Sequence, residues 1–553
     1  MIDQLPNYLL LYFQKIIVVA FVLVCFQPVL GQPSKKSWSP HIAYSNGKPV
    51  LMVQGNPFLI LGGELGNSTA SNADYMRSKW PLLKQMKLNT VVSPVYWELM
   101  EPKEGIFDFA LVDSTIAIAR RSNMHLVFLW FGTWKNSMSC YVPSWVKNNS
   151  SRFERTIDKQ GKTIEILSVF DKSILDADIK AYTALMKHIK QVDEAKQTVI
   201  MVQVENEVGM LPTAREHTAK ANILFNDDVP KELMDYLNSN KQKLVPEFKT
   251  VLEKQGNKTS GTWTEVFGNS LATEEIFQAW HYAKFVERVA KAGKQAYNIP
   301  MYVNAALNRP NVLPGDYPSA GPLPHVMDIW KLAAPSLDML SPDFYNPDTK
   351  YWCNLYTRNN NVLFVPEMHF DESCSAKAFY IIGHHGSLGF SPFSIENGKG
   401  KEAAALQKTY SIISQIQPLI HDKPLAVDGF LFDKKDKKDS AIFGKYQLTV
   451  SHELTMNWNP AAKDSVWNAT GGIVIQTAAD EFIVAGTGIV VTFKHTDDSI
   501  VTNLLTVDEG EFINNKWIAG RRMNGDEDHQ GRHVRIPFGE WGIQKVKLYN
   551  TKQ

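Results

Sequence analysis

Short apolar runs alternate with longer segments of helical periodicity throughout residues 59–393. Most runs end in polar or glycine-rich residues, and the segments that follow, such as Tyr75 to Met86 and Thr273 to Tyr297, repeat their apolar positions with the helical period. This alternation is typical of repeated β/α units that build a parallel sheet. The candidate strands are Leu59–Leu61, Thr90–Val92, Leu126–Leu129, Val199–Val204, Met301–Val303, Met339–Ser341, Val362–Val365 and Leu388–Phe390. Eight such units predict an α/β fold of the (β/α)8 TIM-barrel type.

The pattern changes after His421, where β-branched runs are separated by turns rich in Gly, Asp and Lys. Tyr446 to Val450, Ile489 to Phe493 and Gln544 to Tyr549 are examples. Closely spaced short strands of this kind indicate an all-β domain. We therefore predict a catalytic barrel over residues 32–425 and a β-sandwich domain over residues 426–553.

The first residues have the pattern of a targeting segment. Lys15 precedes the apolar run Ile16 to Phe26, and small residues up to Gly31 come before a cleavage point ahead of Gln32. Gln14 and Lys15 interrupt the apolar stretch before it reaches the length of a membrane span, which disfavours an anchor. The sequence predicts a signal peptide over residues 1–31 and an exported, periplasmic or extracellular protein.

Charge and cysteine content narrow the function. The 58 basic and 57 acidic residues leave a net charge of +1, so no overall field attracts nucleic acid or an anionic membrane, and a neutral substrate is favoured. Beyond the signal peptide the cysteines are Cys140, Cys353 and Cys374, which cannot all pair. A bridge between Cys353 and Cys374 remains open. Metal-ligand spacing is absent, and we predict neither a metal nor an organic cofactor.

Two candidate strands end in glutamates. Val199–Val204 runs into Glu205-Asn206-Glu207, and Val362–Val365 runs into Pro366-Glu367. A lone glutamate at a strand end is more often a salt bridge or a helix cap. Strands four and seven face each other across a barrel mouth, however, and glycoside hydrolysis needs a carboxylic acid and a carboxylate on the two sides of one bond. The pair favours a glycosidase, although spacing alone does not choose between Glu205 and Glu207.

A family resemblance makes the roles specific. Val202 to Gly209 resembles the acid/base motif of glycoside hydrolase family 35, and Tyr96 to Phe109 is similar to the second-strand signature of families 35 and 42. The resemblance implies a retaining mechanism. It also implies these roles: Glu207 as acid/base, Glu367 as nucleophile, Asn206 on the sugar 2-hydroxyl, and Tyr345 as hydrogen-bond donor to the nucleophile.

The chain also departs from family 35. After strand three it has Leu129 to Asn136 in place of a Cys-Ala-Glu-Trp stretch, so that loop's galactose contacts are not transferred. The seventh strand and the β-rich C-terminus look like a bacterial branch that ends in a domain of unknown function. The remaining predicted substrate-binding residues, each after a candidate strand, are Glu64, Trp97, Trp134 and Asn304. Trp130 and Glu396 are lower-ranked candidates, Glu101 is assigned to structure, and Glu205 is expected to support the site.

The sequence therefore predicts an exo-acting retaining β-glycosidase for polysaccharide degradation, which removes terminal β-D-galactosyl residues from oligosaccharide or polysaccharide chains. A β-glucosidase, a β-mannosidase or an arabinopyranosidase would use the same chemistry, and the sequence does not separate them. A carbohydrate-binding protein that has lost turnover is a further alternative, since a fold does not guarantee a function. The intact pair Glu207 and Glu367 argues against it.

Overall fold

The structure is a computed structural model that describes residues 39–45, 47–422 and 424–552. The predicted signal peptide lies outside the described residues. A small antiparallel sheet that was not predicted comes first, formed by β1 (His41–Ser45), β2 (Lys48–Val53) and β3 (Asn56–Phe58). Among the described residues, no helix combines the length and apolar character that crossing a bilayer requires.

The predicted TIM barrel is confirmed. Eight parallel strands follow one another around a closed barrel, and the last strand pairs with the first. Their bounds are β4 (Ile60–Glu64), β5 (Thr90–Tyr96), β6 (His125–Phe131), β9 (Val199–Gln203), β10 (Met301–Ala306), β11 (Met339–Phe344), β12 (Val365–Met368) and β13 (Gly389–Pro392). A separate two-stranded antiparallel sheet, formed by β7 (Arg155–Ile157) and β8 (Thr163–Leu167), lies between β6 and β9 in the sequence.

Strand seven of the barrel, β12, is displaced from its predicted position. It spans Val365–Met368 instead of Val362–Val365, so Glu367 lies within the strand rather than after it. Pro366 has no backbone N–H to donate, and the pairing with β13 is irregular between Val365 and Met368. Residues 362–364 are as buried as the strand itself, so the apolar run alone did not mark where the strand begins.

Helices pack around the barrel, and their ends follow from capping residues. The Asp171 side chain accepts a hydrogen bond from the backbone N–H of Ser173 at the start of the helix Lys172–Asp193. The Ser270 side chain accepts one from the backbone N–H of Thr273 at the start of the helix Leu271–Ala296. The α-helices are Ala73–Gln85, Trp97–Met100, Ala110–Arg121, Ser144–Lys147, Lys172–Asp193, Ala219–Phe225, Lys231–Asn240, Pro246–Lys254, Trp263–Phe267, Leu271–Ala296, Met327–Ala333, Thr349–Tyr356, Cys374–Gly383 and Lys401–His421.

The C-terminal domain is rich in strands, as predicted. Its eight strands form a single antiparallel hydrogen-bonded network rather than two separate sheets, because the long strands pair with different partners along their length. The network encloses its own apolar core, which includes Phe430, Val484 and Val546. The strands are β14 (Ala426–Phe432), β15 (Lys438–Phe443), β16 (Tyr446–His452), β17 (Thr470–Ala478), β18 (Glu481–His495), β19 (Ile500–Ile513), β20 (Lys516–Arg522) and β21 (Val534–Lys552).

The barrel and the C-terminal sheet share apolar packing. Ile473, Ile483 and Ile543 of the sheet belong to the same buried cluster as the barrel interior. At Gly429 a Cβ atom would lie 2.5 Å from the carbonyl oxygen of Phe379, so glycine is needed for this close approach. The sheet is therefore packed firmly against the last helices of the barrel.

The structure also answers the question about the cysteines. Cys353 and Cys374 are both buried and both free, so the bridge left open by the sequence is not formed.

Candidate active site

The loop after β9 has an unusual backbone. Glu205 and Glu207 have φ angles of 60° and 46°, in the left-handed region that side chains other than glycine rarely adopt, and Asn206 lies between them. Such conformations cost about 1–3 kcal/mol each and are concentrated at functional sites. Backbone hydrogen bonds hold the loop: Asn206 N–H donates to the Trp134 carbonyl at 3.3 Å, and Ser137 N–H donates to the Glu207 carbonyl at 3.1 Å.

Three carboxylates meet at the mouth of the barrel. One oxygen each of Glu207, Asp343 and Glu367 lies within 4.8 Å of the others. All three side chains are buried, and Glu64 at the end of β4 is a fourth buried carboxyl close enough to interact with them electrostatically. The predicted pair Glu207 and Glu367 is therefore brought together, with two acidic neighbours. Three oxygens at this distance are also able to ligate one cation, but an acid/base pair requires the same proximity.

Burial and mutual repulsion raise the pKa values of this cluster. Burial first, and then the charge of Glu207, raises the pKa of Glu367 to about 7, against the opposing influence of Lys135 and the Tyr345 hydroxyl. Burial also raises the pKa of Glu207, and it raises those of Glu64 and Asp343 well above their usual range. These shifts favour the protonated carboxyl forms, and a protonated carboxyl beside an ionised neighbour is the arrangement that acid catalysis requires.

Tyr345 lies where the sequence placed it. Its hydroxyl donates a hydrogen bond to Oε1 of Glu367, and the ring is about half exposed at 52%. A donor on the carboxylate favours the ionised form and fixes its orientation. This is the contact that the family resemblance implies for Tyr345.

The two asparagines of the site differ in their contacts. Neither side-chain amide atom of Asn206 has a hydrogen-bond partner among the described residues, although the side chain is fully buried. Unpaired buried polar groups are rare and costly, so such a group points to a ligand. Asn304 instead accepts the Glu207 backbone N–H at 2.9 Å and donates to Asp343 at 2.6 Å. Its observed contacts are those of a positioning residue.

The structure leaves no exposed surface on Trp97 and Trp134, two of the predicted substrate-binding residues. Both rings are 0% exposed. The indole N–H of Trp97 donates to Glu101 at 2.8 Å, and that of Trp134 donates to the Leu167 carbonyl at 3.3 Å. Because each ring is enclosed by protein and its polar atom is satisfied, neither leaves surface for a sugar. Trp130 is likewise buried and donates to Asp178.

Three other glutamates have structural contacts. Glu101 accepts the Trp97 indole N–H, as its assignment to structure implies. Glu396 accepts the Gly66 backbone N–H at 3.0 Å and is not one of the three clustered carboxylates. Glu205 accepts the Trp134 backbone N–H at 2.8 Å, and burial and the charge of Asp178 raise its pKa well above the usual range. The carboxylate of Glu207, not that of Glu205, faces Glu367.

Sequence reasoning missed Asp343, Lys135 and Asn136. Asp343 is the penultimate residue of β11, two residues before Tyr345, and its position near a strand end was the available signal. Lys135, only 5% exposed, donates to Oδ1 of Asn136, whose amide donates in turn to Oε2 of Glu207. These two residues belong to the loop that departs from family 35. This loop therefore contacts the proposed acid/base through the side chain of Asn136.

Two family models match parts of this chain. Residues 69–244 match the model of glycoside hydrolase family 42, described as beta-galactosidase, and residues 406–535 match a domain of unknown function (DUF5597). Human Beta-galactosidase-1-like protein 3 is 28% identical over 173 residues, which are 30% of this chain and 24% of that protein. The match thus spans about a quarter of the length of this curated relative.

Solved structures show distant similarity. A beta-galactosidase from the psychrophilic Marinomonas ef1 aligns with a TM-score of 0.45 and 10% identity, covering 65% of this chain and 60% of that one. The catalytic domain of a beta-amylase from Paenibacillus polymyxa gives 0.43 and 12%, covering 64% and 97%. A beta-galactosidase from the Antarctic haloarchaeon Halorubrum lacusprofundi gives 0.42 and 12%, covering 64% and 58%.

The barrel, its buried carboxylates and the match over residues 69–244 together support a glycoside hydrolase. The predicted enzyme class is thereby confirmed. The match supports the wider group of barrel β-glycosidases, whereas membership of family 35 in particular stays a prediction.

Proposed function

We propose that the protein is an exo-acting retaining β-glycosidase that removes terminal β-D-galactosyl residues from neutral glycans by double displacement. The observation that carries the proposal is the close approach of Glu207 and Glu367, with carboxylate oxygens within 4.8 Å. Retaining enzymes hold their carboxyl groups about 5–5.5 Å apart, and inverting enzymes need about 6.5–9.5 Å to admit a water molecule. The spacing supports retention.

The proposed reaction assigns a step to each side chain. Glu367, oriented by Tyr345, attacks the anomeric carbon while Glu207 protonates the departing oxygen, which breaks the glycosidic bond and forms a glycosyl ester. Glu207, now a carboxylate, then removes a proton from the water that hydrolyses the ester. Asn206 is free to bond the sugar 2-hydroxyl, a contact that strengthens as charge develops at the anomeric carbon.

The choice of galactose is supported by the beta-galactosidase family match, which covers β5, β6 and β9 of the barrel. The N-terminal sequence pattern supports action outside the cytoplasm. A panel of nitrophenyl β-glycosides tests the sugar, with galactoside expected to be hydrolysed fastest. Faster hydrolysis of the glucoside, mannoside or arabinopyranoside would change the assigned sugar but leave the proposed reaction mechanism unchanged.

NMR of the first-formed product tests the mechanism. We expect the β-anomer of the released sugar to appear before mutarotation, and activity to be unchanged after treatment with a chelator. Initial release of the α-anomer would contradict double displacement. Absence of turnover of any β-glycoside would contradict the proposed function itself.

Lys135 provides a prediction about pH. Its positive charge lowers the pKa values of Glu207 and Glu367. In a Lys135→Met variant both carboxyl groups should hold their protons to higher pH. Because the nucleophile must be ionised, the acidic limb of the kcat/KM profile should move to higher pH. The exposed Lys103→Met variant is the matched control, and its profile should coincide with that of the wild type. An acidic limb that stays in place in Lys135→Met would contradict the assigned influence of Lys135.

A further inference from the structure

A large cleft separates the barrel rim from the C-terminal sheet. Its volume is about 1050 Å³. One wall is formed by the segments that follow β11 and β12, including Tyr345 and His369, and the other wall includes Trp467, Phe538 and Trp541 of the C-terminal domain. Typical small-molecule sites occupy roughly 300–1,000 Å³, so this cleft has room for a ligand larger than a single sugar.

One residue of the cleft wall contacts the proposed nucleophile. Tyr345 lines the cleft and donates its hydroxyl hydrogen to Glu367. His369, two residues after Glu367, is exposed in the same wall, and its ring centre is 6.3 Å from that of Tyr345. Tyr345 is therefore shared by the cleft wall and the carboxylate site.

The chemistry of the walls suits a neutral sugar chain. Four lysines and five acidic residues line the cleft, so their charges nearly cancel and give no selection for a polyanion or a polycation. Trp541 is partly exposed, and its indole N–H donates to Thr409 Oγ1 at 3.0 Å. This bond fixes the ring, and the Lys408 ammonium lies over one face, 4.6 Å from the ring centre. The opposite face is the one offered for stacking, because flat apolar ring faces pack against the apolar faces of other rings.

We propose that this cleft binds the oligosaccharide chain that carries the terminal sugar, with Trp541 as a stacking platform. The inference rests on the proposed function and extends it. It gives the C-terminal domain a role in substrate binding, because this domain forms the second wall of a site whose first wall belongs to the barrel. The preferred substrates would then be long neutral chains rather than small galactosides.

Kinetics on two kinds of substrate test this proposal. For the wild type, kcat/KM should rise with the length of linear oligosaccharides that carry the terminal sugar, and then level off. Trp541→Ala should lower kcat/KM for the long chains about tenfold and leave the aryl glycoside within about twofold. Trp458→Ala is the matched control, because Trp458 is 47% exposed on the same domain and does not line the cleft. It should match the wild type on both substrates.

Two kinetic results would overturn the proposal. One is a wild-type kcat/KM that does not depend on chain length, which decides the matter even if Trp541→Ala fails to fold. The other is an equal loss on both substrates in a folded Trp541→Ala protein. If no β-glycoside is hydrolysed, the proposed function fails, but calorimetric titration with oligosaccharides lacking the terminal sugar still tests the cleft. Binding by the wild type that Trp541→Ala weakens about tenfold supports the cleft, and absence of binding contradicts it.

Discussion

Replacing Glu367 by glutamine is expected to lower kcat/KM for aryl β-galactosides by about 10⁴-fold or more. Glutamine has nearly the same size and still accepts the hydrogen bond from Tyr345, so the site should keep its shape. The amide, however, is a poor nucleophile and carries no negative charge to balance the positive charge that develops at the anomeric carbon. The loss should therefore appear mainly in kcat.

Steady-state kinetics and thermal unfolding should be measured together for this variant. Glu396→Gln is a suitable control, because Glu396 is also a buried glutamate near the end of a barrel strand but bonds the Gly66 backbone instead of the carboxylate cluster. It should lower the melting temperature and leave kcat near that of the wild type. A folded Glu367→Gln protein with full turnover would remove Glu367 from the role of nucleophile.

The barrel and most of its rim could be predicted because topology relates strand order to position. In a closed barrel of parallel strands, every residue at a strand's carboxyl end lies at the same mouth. Glu64, Glu207, Asn304 and Glu367 come from different strands, and the structure collects all of them there. Periodicity and strand order were sufficient for this step.

The orientation of individual side chains could not be predicted in the same way. Trp97 and Trp134 follow strands, but the loop backbone decides whether such a ring turns toward the mouth or toward the barrel wall. Because that backbone is irregular, its sequence has no periodic pattern from which the direction could be predicted. Both rings face protein. The bonds from Lys135 to Asn136 and on to Glu207 depend on the same irregular loop.

The sheet arrangement of the C-terminal domain could not be predicted from the sequence, for a different reason. Alternation predicts strands but does not show where a long strand changes partners. β18 pairs with β17 over one part of its length and with β16 over another, which joins all the strands into one network. That choice depends on contacts distant in sequence.

Replacing Glu207 by glutamine is expected to produce a loss that depends on the leaving group. For substrates whose leaving group needs a proton, such as galactosyl oligosaccharides, kcat/KM should fall about 10²–10⁴-fold. For a dinitrophenyl galactoside, whose phenolate leaves without protonation, the first step should proceed at nearly the wild-type rate. Glycosyl-enzyme should then accumulate, because no base remains to activate water.

Glu205→Gln is the matched control, and it addresses the choice between two neighbouring glutamates that spacing left open. Glu205 accepts the Trp134 N–H, and burial and the charge of Asp178 raise its pKa well above the usual range, so a neutral amide is a conservative replacement. This variant should retain the wild-type dependence on the leaving group. Adding azide extends the comparison: in Glu207→Ala the small anion can attack the accumulated intermediate without a base and restore turnover as a β-glycosyl azide. A loss in Glu207→Gln that is equal for all leaving groups would contradict its assignment as the acid.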